Sequence, residues 1–299
     1  MGAVKVAPRF PPRMLQSSGL VISIVVPVYN QLDLTRACLE SLRGTSEPFE
    51  LAVVDNASSD GTEAFFRRWT PPFALRYRRN ARNVGLIQAL NQGAELAGGD
   101  TLCFLHNDTV MHDLRWLARL GAALEEPGVG LVGLYGAQRL RRDGRYVGRT
   151  LVHALAGTAN VRGDLTEVAA VDGVCLAVRR SVLDEVGGFD EGYGFFHGYD
   201  RDLSFAVREA GRRCVVVDTP FTHRGGGTRT GAAAPFESAA DLAQRRAALA
   251  RFAAKWSHRL PADVRTASER LADWLAVRAE RLKRRGGVVA RIRAGGPSR

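Results

Sequence analysis

The stretch TLCFLHNDTV, Thr101–Val110, ends an apolar run on three polar side chains in succession, His106, Asn107 and Asp108. An imidazole, a carboxamide and a carboxylate at the end of a buried strand can hold a charged ligand or a cation. A chain seeking only stability would place a turn there. The plain alternative for Asp108 is a cap for the helix starting near Leu114, but Asp113 is better placed to cap it. Similar polar clusters follow two earlier apolar runs: Tyr29 and Asn30 after LVISIVVPV, and Asp55 and Asn56 after ELAVV. Farther on, HGYDRDLSF sets Asp200 and Asp202 at the start of a helix, and His223 precedes RGGGT. The plain reading of the two acids is favourable placement at the positive end of a helix dipole.

The elements that must position these groups alternate. LVISIVV (20–26) is continuously apolar and β-branched, as in a strand covered on both faces, and Pro27 is expected to end it. Asp33 can cap a helix with Leu34, Cys38 and Leu42 on one face. ELAVVD (50–55) is a second strand, SSDGTEAFFRRW a helix with Asp60 as its cap, and FALRYRR an edge-like third strand. Residues 85–97 form a helix, DTLCFLHND a fourth strand, 114–126 a helix and VGLVGLYG a strand. Such alternation with short connections predicts an α/β domain with a mostly parallel sheet and helices on both faces. Ligands of such sheets bind beyond the carboxyl ends of the strands, so the three polar clusters are expected at one edge. Beyond 137 the pattern changes. A basic hairpin turns at Asp143-Gly144, two short strands flank Gly173, a Gly/aromatic loop lies between two helices, and RCVVVD is a last strand.

Composition sets the outer limits. At 299 residues and 45% apolar, the chain can bury a large core. Its net charge of +11 suits an anionic partner, yet only Lys5, Lys255 and Lys283 are lysines, so the charge is almost all arginine and can equally reflect compositional bias. No aromatic-basic interleaving supports a nucleic-acid partner. The four cysteines, Cys38, Cys103, Cys175 and Cys214, lack CxxC spacing and lie in apolar contexts, which predicts buried thiols in a reducing compartment. No apolar run approaches the about 20 residues of a membrane span. The expectation is a cytoplasmic protein with at most peripheral membrane contact. GxGxxG, GxxxxGK[ST] and GxSxG are all absent, which excludes the commonest dinucleotide, P-loop and serine-hydrolase sites.

VPVYNQLDLTRACLESL, VVDNASSDGT, RNVGLIQALNQGAELAGGD, LHNDT, VDGVCLAVRRSVLDEVGGFDE and GYDRDLSFAVREAG resemble, in order and spacing, the motifs of family-2 glycosyltransferases of the GT-A fold. The resemblance spans about 20–230, and the HND variant is similar to rhamnosyltransferase-like members. It implies a GT-A domain over 19–230; the Pro-rich, basic stretch 1–18 is expected to be a mobile tail, and the Arg/Ala-rich stretch 231–299 a C-terminal helical region. It implies an inverting, metal-dependent transfer of a hexose or deoxyhexose to a hydroxyl acceptor. The donor would be a pyrimidine nucleotide-diphosphate sugar of UDP or dTDP type, the setting polysaccharide or glycolipid assembly. A non-catalytic nucleotide-sugar-binding or scaffold relative is the alternative.

The resemblance also implies roles. Pro27, Tyr29, Asp55, Asn83, Gly85 and Asn107 stand on the nucleotide side. Asp55 would accept from the base, and Gly85 would open a helix whose N-terminus favours anions. Asp108 and His223 would hold a divalent cation, Mg²⁺ or Mn²⁺, that bridges the diphosphate. The family's first acid of the Asp-x-Asp stretch is here His106, which makes Mn²⁺ as suitable as Mg²⁺. Asp200 matches the catalytic base. Tyr199 replaces the usual Glu before it, and Asp202 matches a second acid that holds local structure. Asp172, Gly173, His197 and Asp202 are placed on the acceptor or sugar side. Gly225–Gly227 is a linker or lid, with Arg224 and Arg229 available to phosphate oxygens. The C-terminal helices carry a stripe of Leu271, Trp274, Leu275 and Leu282 that could cover the catalytic domain, a second subunit in a homodimer, or an anionic membrane.

Overall fold

The structure is a computed structural model that describes residues 22–147, 150–152, 165–224 and 238–272, with Trp274, Leu275 and Arg278. In chain order its elements begin β1 (Ile22–Val28), α1 (Leu32–Leu42), β2 (Phe49–Asp55), α2 (Thr62–Arg68), β3 (Ala74–Arg79), α3 (Leu86–Leu96), β4 (Thr101–Leu105), β5 (Thr109–Met111), α4 (Trp116–Glu125) and β6 (Val129–Gly133). Then come β7 (Tyr135–Ala137), β8 (Arg139–Leu140), β9 (Thr150–Val152), β10 (Leu165–Val168), β11 (Ala170–Val171), β12 (Cys175–Arg179) and α5 (Arg180–Glu185). The series closes with a single 3₁₀ turn (Glu191–Tyr193), α6 (Tyr199–Glu209), β13 (Arg213–Val217), β14 (Phe221–His223), α7 (Ala239–Lys255) and β15 (Ala262–Asp263).

Eight strands form one sheet in the order β10-β13-β6-β12-β4-β1-β2-β3. β4, β1, β2 and β3 are parallel neighbours, β13 is parallel to β6, and β12 and β10 run antiparallel to theirs. The expected α/β fold with a mostly parallel sheet is therefore present, and β3 is its edge. The sequence explains the layering. Ile22, Ile24, Val26 and Val28 share a core with Cys38, Leu39 and Leu42 of α1 and Trp116, Leu117 and Leu120 of α4. The intervening Val25, with Val54, faces α3 at Gly93. A strand covered on both faces shows no alternation, which is why β1 reads as an unbroken apolar run.

Two local expectations change, and one small sheet is new. Pro27 does not end β1: it pairs within the strand and Val28 pairs with Asp55. Pairing with β4 stops at Val25, and Val28 turns its carbonyl to β2 by accepting from the Asn56 N–H. Pro27 thus turns the side without an N–H toward a neighbour that has already left. Asp33 is not the cap of α1. Asn30 and Gln31 take positive φ, 55° and 58°, and the Leu32 N–H donates to Asp60 at 2.9 Å, so the cap comes from the next loop. The small sheet of β5 with β14 went unpredicted, because three-residue strands carry no periodicity.

The hairpin at Asp143-Gly144 forms, with Gly144 at φ 77° and Leu140 bridged to Tyr146. All four cysteines are buried free thiols, and burial pushes the Cys38 thiol up to about 12. One compact unit extends to Asp263 and a second begins at Val264. Within the first, α7 packs Phe252 and Trp256 against Phe205 of α6, ring centroids 4.9 and 5.7 Å apart. Within the second, Leu271, Trp274 and Leu275 are exposed. Leu282, the 1–18 tail and the Gly225–Gly227 segment with Arg229 lie outside the described residues. No described helix is long and apolar enough to cross a membrane.

Candidate active site

Because β1, β2 and β4 are parallel neighbours, the residues that follow them gather at one sheet edge. A shallow cleft opens there, lined by Pro27, Val28, Tyr29, Asn56, Asn83, Leu86, Phe195 and Phe196. Backbone and amide contacts shape it: Asn56 Nδ2 donates to the Gly85 carbonyl at 3.1 Å, and Asn83 Oδ1 accepts from the Gly85 N–H at 2.9 Å. Gly85 has φ +89°, and a Cβ there would lie 2.9 Å from the Phe195 carbonyl oxygen. That oxygen accepts from Leu86 N at 2.8 Å and Ile87 N at 3.4 Å. The α3 N-terminus, expected to attract an anion, is thus capped by the loop that carries Phe195; the glycine is needed for that close approach.

Asp55 ends β2 with its side chain fully enclosed. Oδ1 accepts from the Ser58 N–H at 2.8 Å. Oδ2 accepts from the Tyr77 hydroxyl at 2.7 Å and from Arg79. Burial and then Asp55 push the Tyr77 phenol well above its ordinary range. Sequence reading missed Tyr77 and Arg79, although they alternate along the edge strand on the face that meets Asp55. Asn107 needs correction. It is 2% exposed and donates to Thr35 Oγ1 at 2.9 Å, so its side chain fastens β4 to α1 rather than lining the nucleotide side.

The neighbouring corner is metal-competent. His106, Asp108 and His223 each bring a ligand atom within 4.8 Å of the others. Asp108 is 4% exposed, and its Oδ1 is 3.3 Å from His223 Nε2. The register explains the meeting: β14 pairs with β5 so that His223 lies opposite Thr109, and Arg224 N donates to the Asp108 carbonyl at 3.1 Å. Asp113 closes the turn before α4, its Oδ1 accepting from Arg115 N at 2.9 Å, but α4 starts at Trp116 with no side-chain cap, so the expected cap is not formed; Asp108 belongs to this corner. Two imidazoles and a carboxylate make a donor set suited to a divalent first-row ion, and the residues fit such an ion.

Asp200 stands in the first turn of α6 and its Oδ1 accepts from the Arg201 N–H at 2.8 Å. Asp172, from the turn between β11 and β12, lies within its electrostatic reach. Burial first and the Asp200 charge second push the Asp172 carboxyl up to about 6, against the Val174 N–H, His223 and Arg201. The Arg201 guanidinium lies over the Tyr146 ring, 4.2 Å from its centroid. Neither Arg201 nor Tyr146 was singled out in the sequence, and the hairpin that brings Tyr146 here carries no motif. Gly173 meets Tyr199: a Cβ on it would lie 2.0 Å from the Tyr199 hydroxyl oxygen. His197 Nε2 is 2.9 Å from Asp241 Oδ1, a tie between the Phe195–His197 loop and α7. Asp202 is likewise turned to α7. Its Oδ1 accepts from Tyr193 and Trp256 at 2.9 and 2.7 Å, and its Oδ2 from Lys255 at 2.9 Å. Of its two expected places, the structural one is the place this geometry gives it.

The family model for glycosyl transferase family 2 matches residues 23–187. The O-antigen biosynthesis protein RfbC of Myxococcus xanthus is 30% identical over 232 residues, covering 72% of this chain and 18% of RfbC. The glycosyltransferase AglE of Haloferax volcanii is 33% identical over 116 residues, 38% of this chain and 38% of AglE. The chain thus spans well under half the length of these relatives. Among solved structures, the mannosyltransferase PcManGT from Pyrobaculum calidifontis, in complex with GDP-Man and Mn²⁺, superposes with a TM-score of 0.52 at 21% identity, covering 86% of this chain and 79% of that one. GalNAc-T7 with UDP, GalNAc and Mn²⁺ gives a TM-score of 0.56 at 18% identity, covering 68% and 43%. These two likenesses concern the fold.

Proposed function

The chain belongs to glycosyl transferase family 2, and on that premise we propose that it is a cation-dependent, inverting glycosyltransferase. It moves a hexose or deoxyhexose from a pyrimidine nucleotide-diphosphate sugar to a hydroxyl acceptor, in the assembly of a polysaccharide or glycolipid. The observation that carries the reading is one edge of one sheet. The aromatic-lined cleft, the His106–Asp108–His223 corner and the Asp172–Asp200 pair lie side by side there. That one relative is the O-antigen biosynthesis protein RfbC supports the setting.

On this reading the nucleoside lies in the cleft against Tyr29 and Phe195, with Pro27 and Asn83 as walls. A pyrimidine imide N–H is a donor of the right kind for Asp55, but it would have to reach an enclosed carboxylate that already accepts from Ser58, Tyr77 and Arg79. His106, Asp108 and His223 would hold Mn²⁺ or Mg²⁺, which when bound neutralises charge on the diphosphate. Asp200 takes the proton of the acceptor hydroxyl as that oxygen attacks the anomeric carbon, and the bond from that carbon to the diphosphate oxygen breaks with the electron pair leaving on the nucleoside diphosphate. One base on one face means in-line displacement with inversion. Asp172, its own carboxyl raised by burial and by the Asp200 charge, stands beside that base. The neighbouring Gly173, expected on the acceptor side, does not open that flank, because the space over it is filled by the Tyr199 phenol. The GT-A body over 19–230 with helices beyond it is the domain plan we adopt, and α7 supports the loop from Phe195 to His197 from behind.

Asp200→Asn tests the assignment. Transfer is expected to fall by about 10²–10⁴-fold, while donor binding, read by thermal shift with Mn²⁺, stays at the wild-type level. Normal turnover by Asp200→Asn sinks the base assignment. Donor hydrolysis that requires a divalent ion separates an enzyme from a nucleotide-sugar-binding relative.

A further inference from the structure

His106 is held in place by a second residue. Its Nε2 lies 2.8 Å from the Tyr199 hydroxyl oxygen. Tyr199 is 5% exposed, and its ring meets Phe189 edge-on with centroids 5.8 Å apart. Its hydroxyl donates to the Gly173 carbonyl at 3.4 Å. Gly173 also leaves the space that the phenol occupies, since a Cβ there would stand 2.0 Å from the hydroxyl oxygen and 2.6 Å from Cζ. Three elements therefore meet in a short chain of contacts: the turn after β11, the start of α6 and the end of β4.

The direction of those bonds matters. A phenol that gives its proton to the Gly173 carbonyl presents lone pairs to His106. The imidazole then carries its proton on Nε2, and Nδ1 is its basic nitrogen. A histidine that ligates a metal generally donates its other ring N–H to an oxygen, which fixes both rotation and tautomer. A neutral phenol does this without adding another carboxylate beside Asp108, Asp172 and Asp200. We propose that Tyr199, seated by Gly173, is a positioning residue for a divalent cation held by His106, Asp108 and His223. The proposal rests on the cation-dependent reading above.

The test is Mn²⁺ titration of the full chain, with and without UDP, followed by electron paramagnetic resonance. Tyr199→Phe keeps the ring against Phe189 and removes only the hydroxyl. It is expected to weaken Mn²⁺ about 10–100-fold, the range for outer partners of metal ligands. His106→Ala is expected to weaken Mn²⁺ at least as much. The double variant should lose no more than His106→Ala alone, because Tyr199 acts through His106. Gly173→Ala, which pushes the phenol away, should reproduce the loss in folded protein. Wild-type Mn²⁺ affinity in Tyr199→Phe, or losses in the double variant that multiply, overturns the positioning role. Wild-type protein that retains no Mn²⁺ even with UDP overturns the underlying reading instead.

Discussion

Asp200 and Asp202 stand two residues apart on α6 and enter opposite surroundings. Asp202 is answered on every side by the Tyr193 hydroxyl, the Trp256 indole N–H and the Lys255 ammonium. In the same corner burial pushes the Asp190 carboxyl up, but Lys255, Arg251 and the Gly192 N–H outweigh it and bring it down to about 2. Around Asp200 the balance is reversed. Asp172 is pushed up to about 6 by burial and by Asp200, in spite of the charges of His223 and Arg201. One corner is neutralised within the chain and holds α7 to the body. The other keeps acids in excess beside His106, Asp108 and His223. Equal residue types in one helical turn thus separate into a structural tie and a site that gains from added positive charge.

Substitutions can break this contrast. The largest effect is expected at Asp200, where Asn removes transfer while the unliganded melting temperature does not fall, since the substitution also relieves the Asp172–Asp200 repulsion. Lys255→Met should do the reverse. It leaves Asp202, whose side chain is 5% exposed, without its ammonium and costs about 2 kcal/mol or more of stability. Chemical denaturation reads that loss, and transfer per folded molecule should persist. An unchanged denaturation midpoint would remove the tie from the account.

The smallest effect sharpens the contrast through pH. Asp172 has its folded pKa raised from 3.8 to about 6, so the folded state binds the proton more tightly. Its contribution is fully present below about pH 4 and is lost as pH rises through about 6. Asp172→Asn should therefore melt a few degrees above wild type at pH 7.5, with the gap closing toward pH 4. Asp190 has its folded pKa lowered from 3.8 to about 2. Its contribution is present above about pH 4 and is lost as pH falls through about 2. Asp190→Asn should lower the melting temperature at neutral pH and converge with wild type in acid. Melting curves for both variants across pH 2–8 check the two signs; parallel curves would contradict them.

Much of the sheet was legible because its strands and helices announce themselves by period. The unbroken apolar run of β1 and the 3.6-residue stripe of α3 needed no tertiary knowledge. The convergence of Tyr29, Asp55 and His106–Asp108 followed from parallel order alone. What was hidden depended on partners distant in sequence. β5 and β14 are each three residues long, yet their pairing brings His223 to Asp108. Asn107 sits between two functional candidates, but its amide found Thr35 of α1. Asp60 caps a helix some thirty residues earlier. His106 and Tyr199, the two residues that depart from the family pattern, are 93 positions apart and lie in hydrogen-bond contact. No spacing along the chain could have revealed that.

The central claim is that His106, Asp108 and His223 hold a divalent cation that carries the nucleotide diphosphate. Isothermal titration of UDP, dTDP and GDP into the full chain, in Mn²⁺ and in chelator, tests it most directly when repeated on Asp108→Ala. The account predicts that a pyrimidine diphosphate binds at least about tenfold tighter with Mn²⁺, a difference of about 1.4 kcal/mol, and that Asp108→Ala abolishes the difference. Equal affinity in Mn²⁺ and chelator for every nucleotide would contradict it.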